Sequence, residues 1–248
     1  MHSCLAAEFY RKGKAMNFYK ITNKTETHHF LTYHDGLNID PVPFSPTCNC
    51  ASSGIHFARE DILALLLCDG WTGKYIREVG IPEDAKVHEI SGLQKYWKAD
   101  KVILGPRREL TVEVFHELLE EGANIHAGGD LALRWAAGNG DCKAAKMFLE
   151  NGADIHIGCE STLVSAVENG DINMAELSLE YGADIHIDHE YPLSRAVEDG
   201  NINMVRLLLK HGADPCADDD HLLSWAAENS DSGMVKFLSE YAAGISAK

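Results

Sequence analysis

A chain of 248 residues, 45% of them hydrophobic, has room for one sizeable domain or two small ones, and that composition argues against disorder over most of its length. The formal charge of -16 is unevenly placed: residues 1–110 carry 14 Lys+Arg against 13 Asp+Glu, whereas residues 111–248 carry 8 against 25. So acidic a segment repels phosphate backbones, which argues against nucleic acid as a ligand and favours a basic protein surface.

In chain order, residues 1–16 read as a loose tail. Arg11, Lys12 and Lys14 follow the apolar piece Cys4 to Ala7, the reverse of the basic-then-apolar order of a secretory signal. The longest apolar run, Ile62 to Cys68, is far shorter than the roughly 20 residues that cross a bilayer, so no membrane span is expected. The seven cysteines are an odd number scattered through a chain able to bury its own core; they predict reduced thiols and an intracellular, cytoplasmic protein.

Residues 17–110 do not repeat. Alternating apolar and β-branched runs predict strands at Phe18 to Ile21, His29 to Tyr33, Gly54 to Phe57, Tyr75 to Val79, Lys86 to Ile90 and Val102 to Leu104. A helix fits Arg59 to Cys68, and Pro41, Pro43 and Pro46 mark a loop, which together make a small α+β domain.

From residue 111 a 30-residue period takes over. Gly122-Ala-Asn-Ile-His126 returns as Gly152-Ala-Asp-Ile-His156, Gly182-Ala-Asp-Ile-His186 and Gly212-Ala-Asp-Pro-Cys216; Asn139-Gly140-Asp141 returns in step as Asn169-Gly170-Asp171, Asp199-Gly200-Asn201 and Asn229-Ser230-Asp231. In each unit a short first helix stops at the middle residue of the second phrase, and the acid or amide after it caps a second helix. That second helix carries a one-sided apolar stripe such as Ala144, Met147 and Phe148, which a single unit cannot bury and a stack of units can. The expected organisation is a half repeat at 111–126, then units at 127–156, 157–186, 187–216 and 217–248, the last of them an irregular cap in which Ser230 and Ala242 replace the terminating glycines.

These units resemble ankyrin repeats: Leu131-Ala-Leu-Arg-Trp-Ala-Ala137, Ser161-Thr-Leu-Val-Ser-Ala-Val167, Tyr191-Pro-Leu-Ser-Arg-Ala-Val197 and His221-Leu-Leu-Ser-Trp-Ala-Ala227 take the place of that family's first-helix motif. With Tyr33-His-Asp-Gly-Leu-Asn38, Ser53-Gly-Ile-His-Phe57, Tyr75-Ile-Arg-Glu-Val79 and Trp97-Lys-Ala-Asp-Lys101 ahead of them, the chain from Met16 onward is similar to ankyrin proteins of mimivirus-like giant viruses. The resemblance implies an α-solenoid of helix pairs with short fingers behind the α+β domain, and a monomeric, non-catalytic module that binds protein by its concave face, with no cofactor.

The columns that such proteins use for recognition are acidic here. Asp130, Glu160, Glu190 and Asp220 precede the first helix of each unit, and Glu168, Glu198 and Glu228 stand near its end, where Gly138 is the exception. Carboxylates suit a helix N-terminus but not a C-terminus, so the second column is the less explained by helix stability, and together they are expected to dock a basic partner. His126, His156 and His186 form a ladder whose chemistry could sense pH; the resemblance implies a stacked, hydrogen-bonded structural role instead.

Two other constellations are weaker. Cys48 and Cys50 with His34 and His56 have zinc-ligand chemistry, but one Cys-x-Cys without a second pair leaves no metal expected. Tyr33-His34-x-Gly36 followed by Gly54-Ile-x-Phe57 is similar to the start of ADP-ribosyltransferases. That resemblance would give His34 the ribose, His56 the place of the nicotinamide-stacking Tyr, and leave only Glu78 or Glu89 as the catalytic acid.

Overall fold

The computed structural model describes residues 17–45, 54–67, 73–90, 95–215 and 232–245, except 29 and 60, together with Leu222, Trp225 and Glu228. The expected tail at 1–16, Pro46, Cys48, Cys50, Asp220 and Ser230 lie outside the described residues. The chain divides into two compact units, Met1–Trp135 and Ala136–Lys248.

The first unit is built on one eight-stranded sheet. Its strands are β1 (Phe18–Thr22), β4 (Gly36–Ile39), β5 (Ile55–Ala58), β6 (Tyr75–Gly80), β7 (Val87–Ile90), β8 (Tyr96–Ala99), β9 (Lys101–Leu104) and β10 (Arg108–Glu109), and β2 (Thr27–His28) and β3 (Leu31–Thr32) form a separate pair. The spatial order is β4-β9-β6-β1-β5-β8-β7, with β10 also on β6, and the pairings are antiparallel. All five residues of β1 are buried, as befits a central strand covered on both faces.

On one face, Phe18 meets Phe57 and Trp97 edge-on at 5.3 and 5.1 Å between ring centroids, and Ile55, Val79, Ala99, Val102 and Leu104 close the core around them. The same face carries charge. Lys20 and Arg77 are cross-strand partners, an arrangement that repels unless compensated. Compensation comes from Glu26, itself buried, whose two oxygens accept from Arg77 Nε at 2.7 Å and Nη2 at 2.9 Å; Nη1 of the same guanidinium donates to Asp35 and to the Gly105 carbonyl, both at 2.6 Å. Lys20 Nζ donates to the His56 carbonyl at 3.2 Å and lies 4.6 Å over the Tyr33 ring.

The 3-10 helix Ile62–Leu67 packs on β1 and β5 and buries Ile62, Leu63 and Leu66. The half repeat follows as α1 (Val112–Glu120), capped by Thr111 and joined to the sheet by Tyr19, whose hydroxyl donates to Glu121 at 2.7 Å. Burial, and then that carboxylate, push the Tyr19 phenol up to about 12.

The sequence places the six strands it identifies within a residue or two of the sheet, save that His29 to Tyr33 is divided into the hairpin arm β3 and a loop around Tyr33. It misses β2, β4, β8 and β10. Those four are four residues or shorter, and in β8 Lys98 is fully buried, against the alternation that marks a strand with one wet face. The helix expected over Arg59 to Cys68 is a 3-10 turn over its middle.

The repeats give α2 (Leu131–Gly138), α3 (Cys142–Glu150), α4 (Ile157–Glu168), α5 (Ile172–Glu180), α6 (Ile187–Glu198), α7 (Ile202–Lys210) and α8 (Ser232–Ile245). Within the second unit first helices pack on first helices, α4 on α6, and second on second, α3 on α5 and α5 on α7. Asp141, Asp171 and Asn201 each accept the amide hydrogen of the third residue beyond, at 3.0 to 3.1 Å. At the far end of α3, Gly152 N–H donates to the Leu149 carbonyl and Ala153 N–H to Phe148, a Schellman stop repeated at Gly182 and Gly212. Ser178, fully buried in the column of Phe148, Leu208 and Leu238, turns its hydroxyl back to the Met174 carbonyl at 2.8 Å.

Candidate acidic surface and its connectors

The units at 127–156, 157–186 and 187–216 are each entered through a left-handed turn. Gly128, Gly129 and Asp130 have φ of 68, 73 and 50°; Gly158 and Glu160 have 67 and 55°; Asp188, His189 and Glu190 have 46, 57 and 62°. Non-glycine residues in this region cost about 1–2 kcal/mol each, so three in succession need a compensating contact. The turn supplies it by folding the acid back beneath the histidine four residues earlier.

His126 Nδ1–H donates to Asp130 at 3.0 Å, His156 Nδ1–H to Glu160 at 2.7 Å, and His186 Nδ1–H to Glu190. The carboxylates are buried, with Asp130 1%, Glu160 5% and Glu190 5% exposed, while the histidine side chains remain more than half exposed, at 57 to 59%. The imidazoles thus lid the acids. Oε2 of Glu160 and of Glu190 is buried too and receives no hydrogen bond from the described residues, which leaves each anion's compensation to its imidazole.

Those acids shape the histidines in return. His156 titrates above the usual imidazole value because Glu160 accepts its hydrogen bond and attracts its charge, with Asp154 and Asp184 adding to the pull. His186 is raised chiefly by its hydrogen bond to Glu190, then by the charges of Glu190, Asp184 and Asp214.

The two acidic columns therefore have different fates. Asp130, Glu160 and Glu190 are interior groups of the connectors, and docking a partner is closed to them in this structure; Asp220 lies outside the described residues. Glu168, Glu198 and Glu228 are exposed. Glu168 accepts the Tyr191 hydroxyl of the following unit at 2.8 Å, which raises that phenol, and Glu198 lies 3.6 Å from Arg195, which also reaches Asp199 at 3.0 Å.

A third acidic column escapes the sequence reading. Asp154, Asp184 and Asp214, in the place of Asn124, are exposed, and Asn124, Asp154 and Asp184 each accept the backbone N–H of the histidine two residues on, at 2.9 to 3.0 Å. The signal was the repeated phrase itself, in which the Asp is an Asx-turn residue with one oxygen inward and its charge at the surface. The inward acids also had a signal: a His four residues before an acid in the three units that have it, replaced in the fourth by Cys216 before Asp220.

The residues of the ADP-ribosyltransferase-like order do not come together. His34 lies in the turn ahead of β4, its Nδ1 2.8 Å from the Asp35 carbonyl, and β4 is an edge strand; His56 is in β5, four strands away, about 19 Å at the usual strand spacing. Glu78 sits on β6 and Glu89 on the opposite edge strand, β7, where it meets Lys95. Among the described residues no helix is long and apolar enough to cross a membrane.

Comparison with known proteins bears on the same segments. Residues 163–248 match the family described as Ankyrin repeats (3 copies). An ankyrin repeat protein of Acanthamoeba polyphaga mimivirus is 35% identical over 126 residues, 48% of this chain and 40% of that protein. A second ankyrin repeat protein of the virus is 32% identical over 153 residues, 58% of this chain and 73% of the relative, and an uncharacterized protein of the same virus is 30% identical over 128 residues, 50% of this chain and 90% of the relative. The chain thus spans less than half of the first of these relatives and most of the other two.

Proposed function

Because the chain belongs to the ankyrin-repeat proteins, we propose that it is a non-catalytic binding module whose repeats hold a basic protein segment. Ankyrin repeats imply protein–protein interaction; the basic character of the partner is read from this chain's own charge. One observation carries it: Glu168, Glu198 and Glu228 recur at the 30-residue period and are exposed, and Glu168 and Glu198 end α4 and α6, where the helix dipole disfavours negative charge. The excess of 25 acidic over 8 basic residues in 111–248 gives that column a field that draws cations from a distance. A free Cys142 thiol fits an intracellular setting.

The test uses the full chain against arrayed Lys- and Arg-rich peptides, with acidic and neutral peptides of equal length as controls, read by fluorescence anisotropy. Binding is expected for the basic peptides alone and is expected to fall steeply toward 1 M salt, where the Debye length is about 3 Å. Glu168→Lys, Glu198→Lys and Glu228→Lys together should abolish it while the melting temperature holds. A basic peptide bound equally well by that triple variant would remove the column from the interface.

A further inference from the structure

We infer that two of the connectors are proton-operated latches: protonated His156 and His186 clamp the buried carboxylates of Glu160 and Glu190 into left-handed turns, and losing those protons loosens the entry to their units. The geometry is the same three times over. A buried acid sits four residues after an exposed imidazole, bonded to its Nδ1, in a turn that non-glycine residues adopt only under compensation.

A neutral imidazole can keep the hydrogen bond through its Nδ1–H, so the switch does not break the contact. It removes the positive charge, and with it the main offset to burying an anion. The other charged groups facing the histidines are also acids: Asp154 and Asp184 around His156, and Asp184 and Asp214 around His186. None of these supplies a replacement cation, so the latch has a single charge to lose.

The direction follows from linkage. The folded connector holds the proton more tightly than an opened one, so the contribution is complete below about 6.5, the ordinary imidazole value, and disappears as pH rises through the raised folded values. Within that window each histidine that releases a proton on opening raises the opening equilibrium by up to tenfold per pH unit. Because neighbouring units support one another, loosening spreads along the repeats rather than staying in one turn. The array is tightened by mild acid.

Hydrogen exchange of the full chain from pH 5.5 to 8.5, corrected for intrinsic exchange, tests this at residues 154–161 and 184–191. Protection there should fall with rising pH, while the amides of β1 in the sheet change little. Glu160→Gln with Glu190→Gln should flatten the dependence by removing the buried charge. Should that variant fail to fold, NMR titration of the His156 and His186 rings in the unaltered chain decides the matter. Midpoints at or below that of an ordinary histidine, or a pH dependence unchanged in the glutamine variant, would overturn the latch.

Discussion

The sheet and the repeats each bury a carboxylate in a left-handed residue, and they neutralise it in opposite ways. Glu26, at φ 52°, lies under the Arg77 guanidinium, which is charged at any pH a cell offers, whereas Glu160 and Glu190 lie under imidazoles that are not. Arg77 holds the Glu26 carboxyl below the usual carboxylate range. Its stabilisation is therefore present above about pH 4.3 and is lost as pH falls through the folded value, the reverse of the histidine latches. A fixed cation makes a permanent joint, and a titratable one makes a joint that responds to its surroundings.

The sharpest way to break the comparison is to remove the acid from the permanent joint. Glu26→Ala leaves Arg77 buried across from Lys20 with only Asp35 and the Gly105 carbonyl to answer it, and losing the buried partner should cost about 3–5 kcal/mol by chemical denaturation. Glu26→Ala with Arg77→Met should recover part of that loss, because neither charge then needs an answer. A cost for the single variant below about 1 kcal/mol would show that Asp35 and the Gly105 carbonyl suffice for Arg77, and the joint is not where this unit's electrostatic stability resides.

In the repeats the largest single changes should be smaller, because each joint is local and repeated. At Gly182, φ is 90° and a Cβ would meet nothing within 4 Å, so Gly182→Ala isolates the backbone cost, about 1 kcal/mol. At Gly140, φ is 66° and a Cβ would stand 3.2 Å from Asp171 Oδ2, the cap of the next unit, so Gly140→Ala should cost measurably more than Gly182→Ala. Equal costs would mean that the cap moves aside freely and the units are less interlocked than their backbones indicate.

The smallest effect is expected at Ser178. Its hydroxyl bonds a carbonyl of its own helix, so Ser178→Ala should change the melting free energy by less than about 1 kcal/mol. A loss above 2 kcal/mol would assign the hydroxyl a role between helices.

What was readable in the sequence follows from how far apart the interacting residues lie. The helix caps at Asp141, Asp171 and Asn201 and the stops at Gly152 and Gly182 are contacts over three to five residues, so the repeated letters announce them. The Glu26–Arg77 joint spans 51 residues and leaves no local pattern, and Lys20 beside Arg77 reads on paper as surface charge. The acidic column before each first helix was legible as a column but not as an interior one. Acids there usually face water as helix caps, and only the left-handed turn, which sequence alone did not reveal, points them inward beneath the histidines.

The approach of Gly140 to Asp171 recurs as Gly170 to Asn201, where a Cβ would come within 3.4 Å of Asn201 Nδ2. Each fit pairs a missing side chain in one unit with a cap in the next, offset by 31 residues. A gain or loss of one whole 30-residue unit brings a glycine opposite a cap again. Whole units can therefore be added or removed with this fit intact, and each one changes how much surface the array presents.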